Sequence, residues 1–178
     1  VKVFLREKEV NYIDSFLTDN KSVVNPQKLS QNKDKGFLGS GPVGDGFLRS
    51  IDEAKLLIAK NLKNSEVLKP YLTGDDLNRH FNNQASRYTI YFFDWDIEKS
   101  KEFKDCFSLV ESDVKPEREK NNDKRRREIW WQFSRPTVDL YKEIRKNENQ
   151  NVFVQARVSK THAIVKVDSN QIFSDALV

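Results

Sequence analysis

Methionine is absent from all 178 residues, cysteine occurs once, as Cys106, and histidine twice, as His80 and His162. A single cysteine excludes an internal disulfide, and with two histidines it leaves no zinc-ligand set. No apolar run approaches the roughly 18 residues that a membrane span needs. No charged-then-apolar leader reads as a signal peptide. Together these absences lead us to expect a cytoplasmic setting. With no initiator, a strand-like start at Val1 to Leu5 and an apolar end at Asp175 to Val178, the sequence is expected to be a piece of a longer protein.

Glycine is also scarce, and five of the six fall in Gly36 to Phe47, GFLGSGPVGDGF. A glycine cluster can cradle phosphate, but this spacing fits neither the P-loop nor the dinucleotide fingerprint. A tight irregular loop where backbone crosses backbone is the better account. What the chain does have is 12 Phe and 3 Trp, enough for a core, alongside 33% charged residues. A mean hydropathy of −0.74 and pI near 9.0 make it polar and basic. Its net charge of +4 suits a polyanionic partner.

Val1 to Leu5 and Val10 to Leu17 read as strands, the second equally as a short helix, and Thr18 to Lys35 as a loop turning at Asn25-Pro26. Ser50 and Glu53 form a capping box ahead of a helix over Ile51 to Leu62. Val67 to Asn78 reads as a loop punctuated by Pro70 and Gly74, and Arg87 to Phe93 as a strand before the turn Asp94-Trp95-Asp96. A helix over Ile97 to Val110 places Phe103, Phe107 and Val110 on one face, with Cys106 as a core residue, and Pro116 interrupts or restarts it. Pro136 at a first helical position starts Thr137 to Lys146. The remainder reads as a β meander: Val152 to Val158, His162 to Val167, and Gln171 to Phe173 after a turn at Asp168-Ser169-Asn170.

Two stretches carry candidate binding chemistry. Within Val152 to Val167, the side chains Gln155, Arg157, Ser159, Lys160 and His162 crowd between two β-rich runs. Gln, Arg, Lys and His can donate to base edges, with Arg to guanine and Gln to adenine as favoured bidentate pairs. A solvated strand face has the same composition. From Lys115 to Arg127 the chain holds Lys115, Arg118, Lys120, Lys124, Arg125, Arg126 and Arg127, followed by Trp130 and Trp131. That suits phosphate contact. The interleaved Glu117, Glu119, Asp123 and Glu128 equally suit a solvated helix. A metal-dependent nuclease would need Asp94 to converge with Asp113-Val114-Lys115, but Lys115 abuts Pro116 at a helix end. Neither Asn25-Pro26-Gln27 nor Thr73-Gly74-Asp75-Asp76 makes a catalytic loop. The chain reads as a binding module, and a protein-docking domain using Trp95, Trp130 and Trp131 is the alternative from another class.

Several blocks in one order resemble a known family. They are Gly36-Phe37-Leu38-Gly39-Ser40 with Gly46-Phe47, Glu53-Ala54 with Leu57-Ile58, and Asn64-Ser65-Glu66-Val67-Leu68 running into Pro70-Tyr71-Leu72-Thr73-Gly74-Asp75-Asp76-Leu77-Asn78. Ser86-Arg87-Tyr88, Phe92-Phe93-Asp94-Trp95, Val114-Lys115-Pro116-Glu117-Arg118 and Trp130-Trp131-Gln132 continue them. Arg157-Val158-Ser159-Lys160 and Phe173 to Val178 complete them. The stretch from about residue 32 to 178 is similar to the target recognition domain of MmeI-like type IIG/IIL restriction-modification enzymes, and the first thirty residues match only loosely. The resemblance implies a single α+β recognition domain, with an antiparallel sheet, flanking helices and a DNA-facing edge of loops and strand ends. It implies a double-stranded DNA partner, and an adenine methyltransferase using S-adenosylmethionine and a Mg²⁺-dependent endonuclease elsewhere in the same polypeptide. Base contact then falls to Gln155, Arg157, Ser159, Lys160 and His162, and phosphate contact to Arg87, Lys115, Lys124, Arg125, Arg126 and Arg127. The PYLTGDDL block would fix the fold or join the methyltransferase.

Overall fold

The computed structural model describes residues 2–14, 17–19, 29–33, 35–148 and 150–178. They fall into two compact units, Val1–Lys35 and Gly36–Val178. The first holds a hairpin of β1 (Val3–Leu5) and β2 (Lys8–Val10), paired from Val3↔Val10 to Leu5↔Lys8. Its turn residues Arg6 and Glu7 both have positive φ, 49° and 67°, the twist that a two-residue hairpin turn demands. Of the stretch Val10 to Leu17 expected as a strand or helix, only Val10 lies in a strand among the described residues, at the end of β2. The Asn25-Pro26 turn lies outside the described residues.

The second unit runs β3 (Leu48–Arg49), α1 (Ile51–Lys60), β4 (Leu68–Leu72), α2 (Gly74–Arg79) and β5 (Arg87–Ile90). Then follow α3 (Ile97–Lys101), α4 (Lys104–Asp113), α5 (Lys115–Glu119), α6 (Lys124–Glu128) and α7 (Val138–Lys146), and finally β6 (Asn151–Gln155), β7 (Ile164–Asp168) and β8 (Ile172–Phe173). Four strands form one sheet in the order β3-β5-β4-β8, and β6 and β7 form a separate two-stranded sheet. The fold is α+β. All pairs are antiparallel except β4 with β8, which is parallel at Tyr71↔Ile172 and Leu72↔Phe173. The expected meander is therefore corrected: β8 leaves β7 and joins the other sheet.

Ser50 caps α1 as expected: its hydroxyl accepts from Glu53 N at 3.2 Å, and Glu53 Oε2 accepts from Ser50 N at 2.8 Å. Pro70 and Gly74 made Val67 to Asn78 look like a loop, yet it contains strand β4 and helix α2. Pro70 faces Tyr88 of β5 and precedes the point at which β8 joins β4, at Tyr71. The single helix expected over Ile97 to Val110 is two helices. Ser100 Oγ donates back to Asp96 O at 2.8 Å, and Phe103 leaves helical dihedrals (φ −93°, ψ 63°). Its ring stacks on Trp95 at 5.6 Å. Phe103, Cys106, Phe107 and Val110 are all buried, as their spacing requires.

At the centre of the core sits Phe133, within 5.1 Å of Phe47, 4.8 Å of Tyr91 and 6.5 Å of Tyr71, ring centre to ring centre. Each such edge-on pair contributes about 0.5–1.5 kcal/mol beyond area burial. Among the described residues no helix is long and apolar enough to cross a membrane.

Candidate nucleic-acid interface

The hairpin of β6 and β7 pairs from Asn151↔Asp168 to Gln155↔Ile164, leaving residues 156–163 as its connecting loop. Alternation divides its side chains. Val154, Ala156 and Val167 are buried, with Val152 and Val165 packed against the same core. Phe153, Ile164 and Lys166 point outward. From Arg157 to Ile164 every residue is exposed. Gln155 Nε2 lies 2.9 Å from His162 Nδ1, which fixes the amide across the mouth of the loop. Ser159 Oγ accepts from Thr161 N at 3.2 Å, which holds the tip in a turn. Lys160 makes no ion pair among the described residues. Residues 151–167 carry Arg157, Lys160 and Lys166 and not one Asp or Glu.

Four anchors fix the root of this loop. Beyond β7, β6 pairs with the stretch after β8: Gln155 N donates to Val178 O at 2.8 Å, and Arg157 N to Ala176 O at 2.9 Å. Arg157 Nη1 donates to Asp175 O at 3.0 Å. Asn78 Nδ2, at the end of α2, donates to Val158 O at 2.9 Å. That helix is set by its own capping box: Thr73 Oγ1 accepts from Asp76 N at 3.2 Å, and Asp76 Oδ2 from Thr73 N at 2.8 Å. Asp76 Oδ1 also accepts from Ser86 N at 3.3 Å. The PYLTGDDLN block thus supplies a central strand and the helix that braces the hairpin loop.

The phosphate candidates are placed less uniformly. Arg87 is exposed at the start of β5. Lys115 donates to Glu111 Oε1 at 2.9 Å, which holds its ammonium above the ordinary lysine range, and lies 5.1 Å from the Trp130 ring centre. On α6, Lys124 is 3.7 Å from Glu128, and Arg126 is 3.6 Å from Asp123. Arg125 Nη1 donates to Ser134 O at 2.8 Å, and Arg127 Nη1 to Asn121 O at 2.7 Å. Exposed pairs of this kind contribute only about 0–1 kcal/mol, so a phosphate can displace them.

Arg118 differs from its neighbours in the basic run. It is buried, donating through Nη1 to Gln132 O at 2.7 Å and through Nη2 to Pro42 O at 2.5 Å. Burial, then Arg126, pushes its guanidinium down to about 10. It ties down the glycine-rich loop, which is a backbone crossing: a Cβ on Gly39 would lie 2.1 Å from Ser174 O, and one on Gly46 2.8 Å from Asp113 O.

Sequence reasoning missed Arg135 and Asp175. Arg135 Nη1 pairs with Asp175 Oδ2 at 3.0 Å, next to the Asp175 carbonyl that holds Arg157. Arg135 follows the Ser134 carbonyl that receives Arg125, so Arg125, Arg135 and Arg157 form one connected series. An isolated Arg before a Pro carries no sequence signal for this. The nuclease triad does not assemble: Asp113 pairs with Arg49 at 2.7 Å, Lys115 with Glu111, and Asp94 with Lys142 at 3.6 Å. Of the three tryptophans expected to be exposed, Trp130 is buried and Trp95 and Trp131 are half-buried. Trp130 is buried against Phe107 at 5.4 Å, and the half-buried Trp131 donates Nε1–H to Trp95 O at 3.0 Å.

No protein-family model and no curated protein matches the chain. Among solved structures it is similar to the type IIL restriction-modification enzyme MmeI in complex with DNA, with a TM-score of 0.58 and 16% sequence identity. The alignment covers 96% of this chain and 22% of that one. At that identity the likeness is one of fold: the chain shares its fold with about a fifth of that enzyme.

Proposed function

We propose that this chain is a DNA target recognition domain that selects the sequence on which a restriction-modification polypeptide acts. The observation that carries this reading is the hairpin: an exposed, acid-free, cationic loop on a braced two-stranded ribbon. A ribbon of that width enters the major groove. Its fold likeness to part of an enzyme solved with DNA supports the same reading. Gln155, Arg157, Ser159, Lys160 and His162 would face base edges, each good bidentate contact giving about 1–3 kcal/mol of discrimination. Arg87, Lys115, Lys124, Arg125, Arg126 and Arg127, joined by Arg135, would meet phosphates and set a steep salt dependence.

The chemistry belongs to an adenine methyltransferase using S-adenosylmethionine and a Mg²⁺-dependent endonuclease outside these residues. No step is assigned to this chain, and among the described residues no three His, Cys, Asp or Glu cluster to hold a metal ion. The test is fluorescence anisotropy with a random-sequence duplex at low and physiological salt, comparing wild type with an Arg157→Ala, Lys160→Ala double variant. Wild-type binding should be weak, with Kd in the micromolar range or above, because the methyltransferase half of the clamp is missing. It should fall steeply with salt and fall further in the variant. A variant that binds like wild type would contradict the proposal, and nanomolar sequence-specific binding by this chain alone would contradict the expected dependence on the methyltransferase half.

A further inference from the structure

The loop His80–Ser86 joins α2 to β5 and stands beside the hairpin loop, because Asn78 at its foot holds Val158 O. A turn closed by Asn83 N donating to His80 O at 3.1 Å puts Phe81 and Asn82 at its apex, with Asn83 in the left-handed region (φ 52°). The tip is held by its own amides: Asn82 Oδ1 accepts from Gln84 N at 3.4 Å, and Asn82 Nδ2 donates to Gln84 Oε1 at 3.2 Å. The Phe81 carbonyl accepts from Asn83 Nδ2 at 3.5 Å, while its ring takes no part. Phe81 is 99% exposed, more than any other large apolar side chain of the described residues. Arg79 precedes it and Arg87 follows the loop, and residues 77–93 contain no Asp or Glu. A hollow lined by Asp75, Asn78, Arg79, Ser159, Lys160 and Thr161 lies between α2, which leads into this loop, and the hairpin tip.

We propose that Phe81 is a stacking wedge, inserted against the bases of the duplex that the hairpin holds. The inference rests on the DNA reading above and adds a contact of a different kind. Apolar wedges enter by partly unstacking a base step, and an aromatic ring stacks on any base, so the contact tolerates sequence. Charge decides for nucleic acid over a protein partner. The ring stands between Arg79 and Arg87 in an acid-free stretch; of the two carboxylates on α2, Asp75 is 3.6 Å from Arg79, and Asp76 is buried, accepting from Thr73 N and Ser86 N.

An opened step is easier to enter in a mismatched duplex. The whole chain is therefore titrated with a random-sequence duplex and with the same duplex carrying one mismatch, using wild type, Phe81→Ala and Phe81→Trp. Wild type is expected to prefer the mismatched duplex about fivefold or more, and Phe81→Ala to lose that preference while keeping its melting temperature and salt dependence. The indole added in Phe81→Trp should be quenched by DNA, readable because the three native tryptophans are buried or half-buried. If Phe81→Ala matches wild type on both duplexes while the Arg157→Ala, Lys160→Ala variant loses affinity, the wedge is overturned and the DNA reading stands. If wild type shows no salt-sensitive binding at low salt, both fall.

Discussion

Arg118 and Lys124 are six residues apart in one basic run and do opposite jobs. Lys124 has a side chain 78% exposed and a loose partner in Glu128. Arg118 donates to the Gln132 and Pro42 carbonyls inside the unit. Arg118→Met would leave both carbonyls without their charged donor and should lower the unfolding free energy by about 2–3 kcal/mol. Lys124→Ala should change it by no more than about 0.5 kcal/mol. Urea denaturation separates the two, and equal midpoints would refute the assignment. Nothing local distinguishes these residues in the sequence, because the partners of Arg118 come from a different part of the chain. The Ser50 cap was legible for the opposite reason: its partner is three residues away.

Among the elements, the hairpin and α2 form the functional pair. Asn78→Ala removes the bond to Val158 O, a loss of about 1 kcal/mol. Its larger effect should be local: faster amide hydrogen exchange over residues 157–163 and weaker DNA binding, with the global midpoint little changed. Unchanged exchange in that loop would sink the idea that α2 braces it. The loop's polar content was legible in the sequence, but its extent was not. Val158 looked like a strand residue because it is β-branched, yet β6 leaves β7 at Gln155 to pair with residues 176–178. The block around Pro70 was misread for a similar reason. Its strand is decided by β5 and β8 on either side, and tertiary pairing overrides the local signals of Pro and Gly.

For the molecule as a whole, every buried apolar core residue of the described chain, from Phe47 to Leu177, lies in the unit Gly36–Val178. Deleting residues 1–35 should therefore leave that unit folded, with a melting temperature within a few degrees of the full chain and the same salt-dependent DNA binding. Calorimetry and anisotropy on the shortened chain check this, and a chain that no longer melts cooperatively would refute it. The buried face of α4 was legible from its periodicity, but of the apolar stripe expected for α1 only Ala54, Leu57 and Ile58 turn inward, while Ile51 and Leu62 are exposed. The order of the sheet was not legible, since it depends on β8 crossing to β4 after a long excursion.

The parallel pairing of β8 also fixes when this protein can fold. Residues 172–178 are the last of the unit to be synthesised, yet Ser174 N donates to Leu72 O, Asp175 N to Ser40 O, and Val178 N to Gln155 O. On a translating ribosome, the β4 edge must stay open until those seven residues emerge from the exit tunnel. Until then the sheet carries an unpaired strand, the usual point of entry for mispairing between nascent chains.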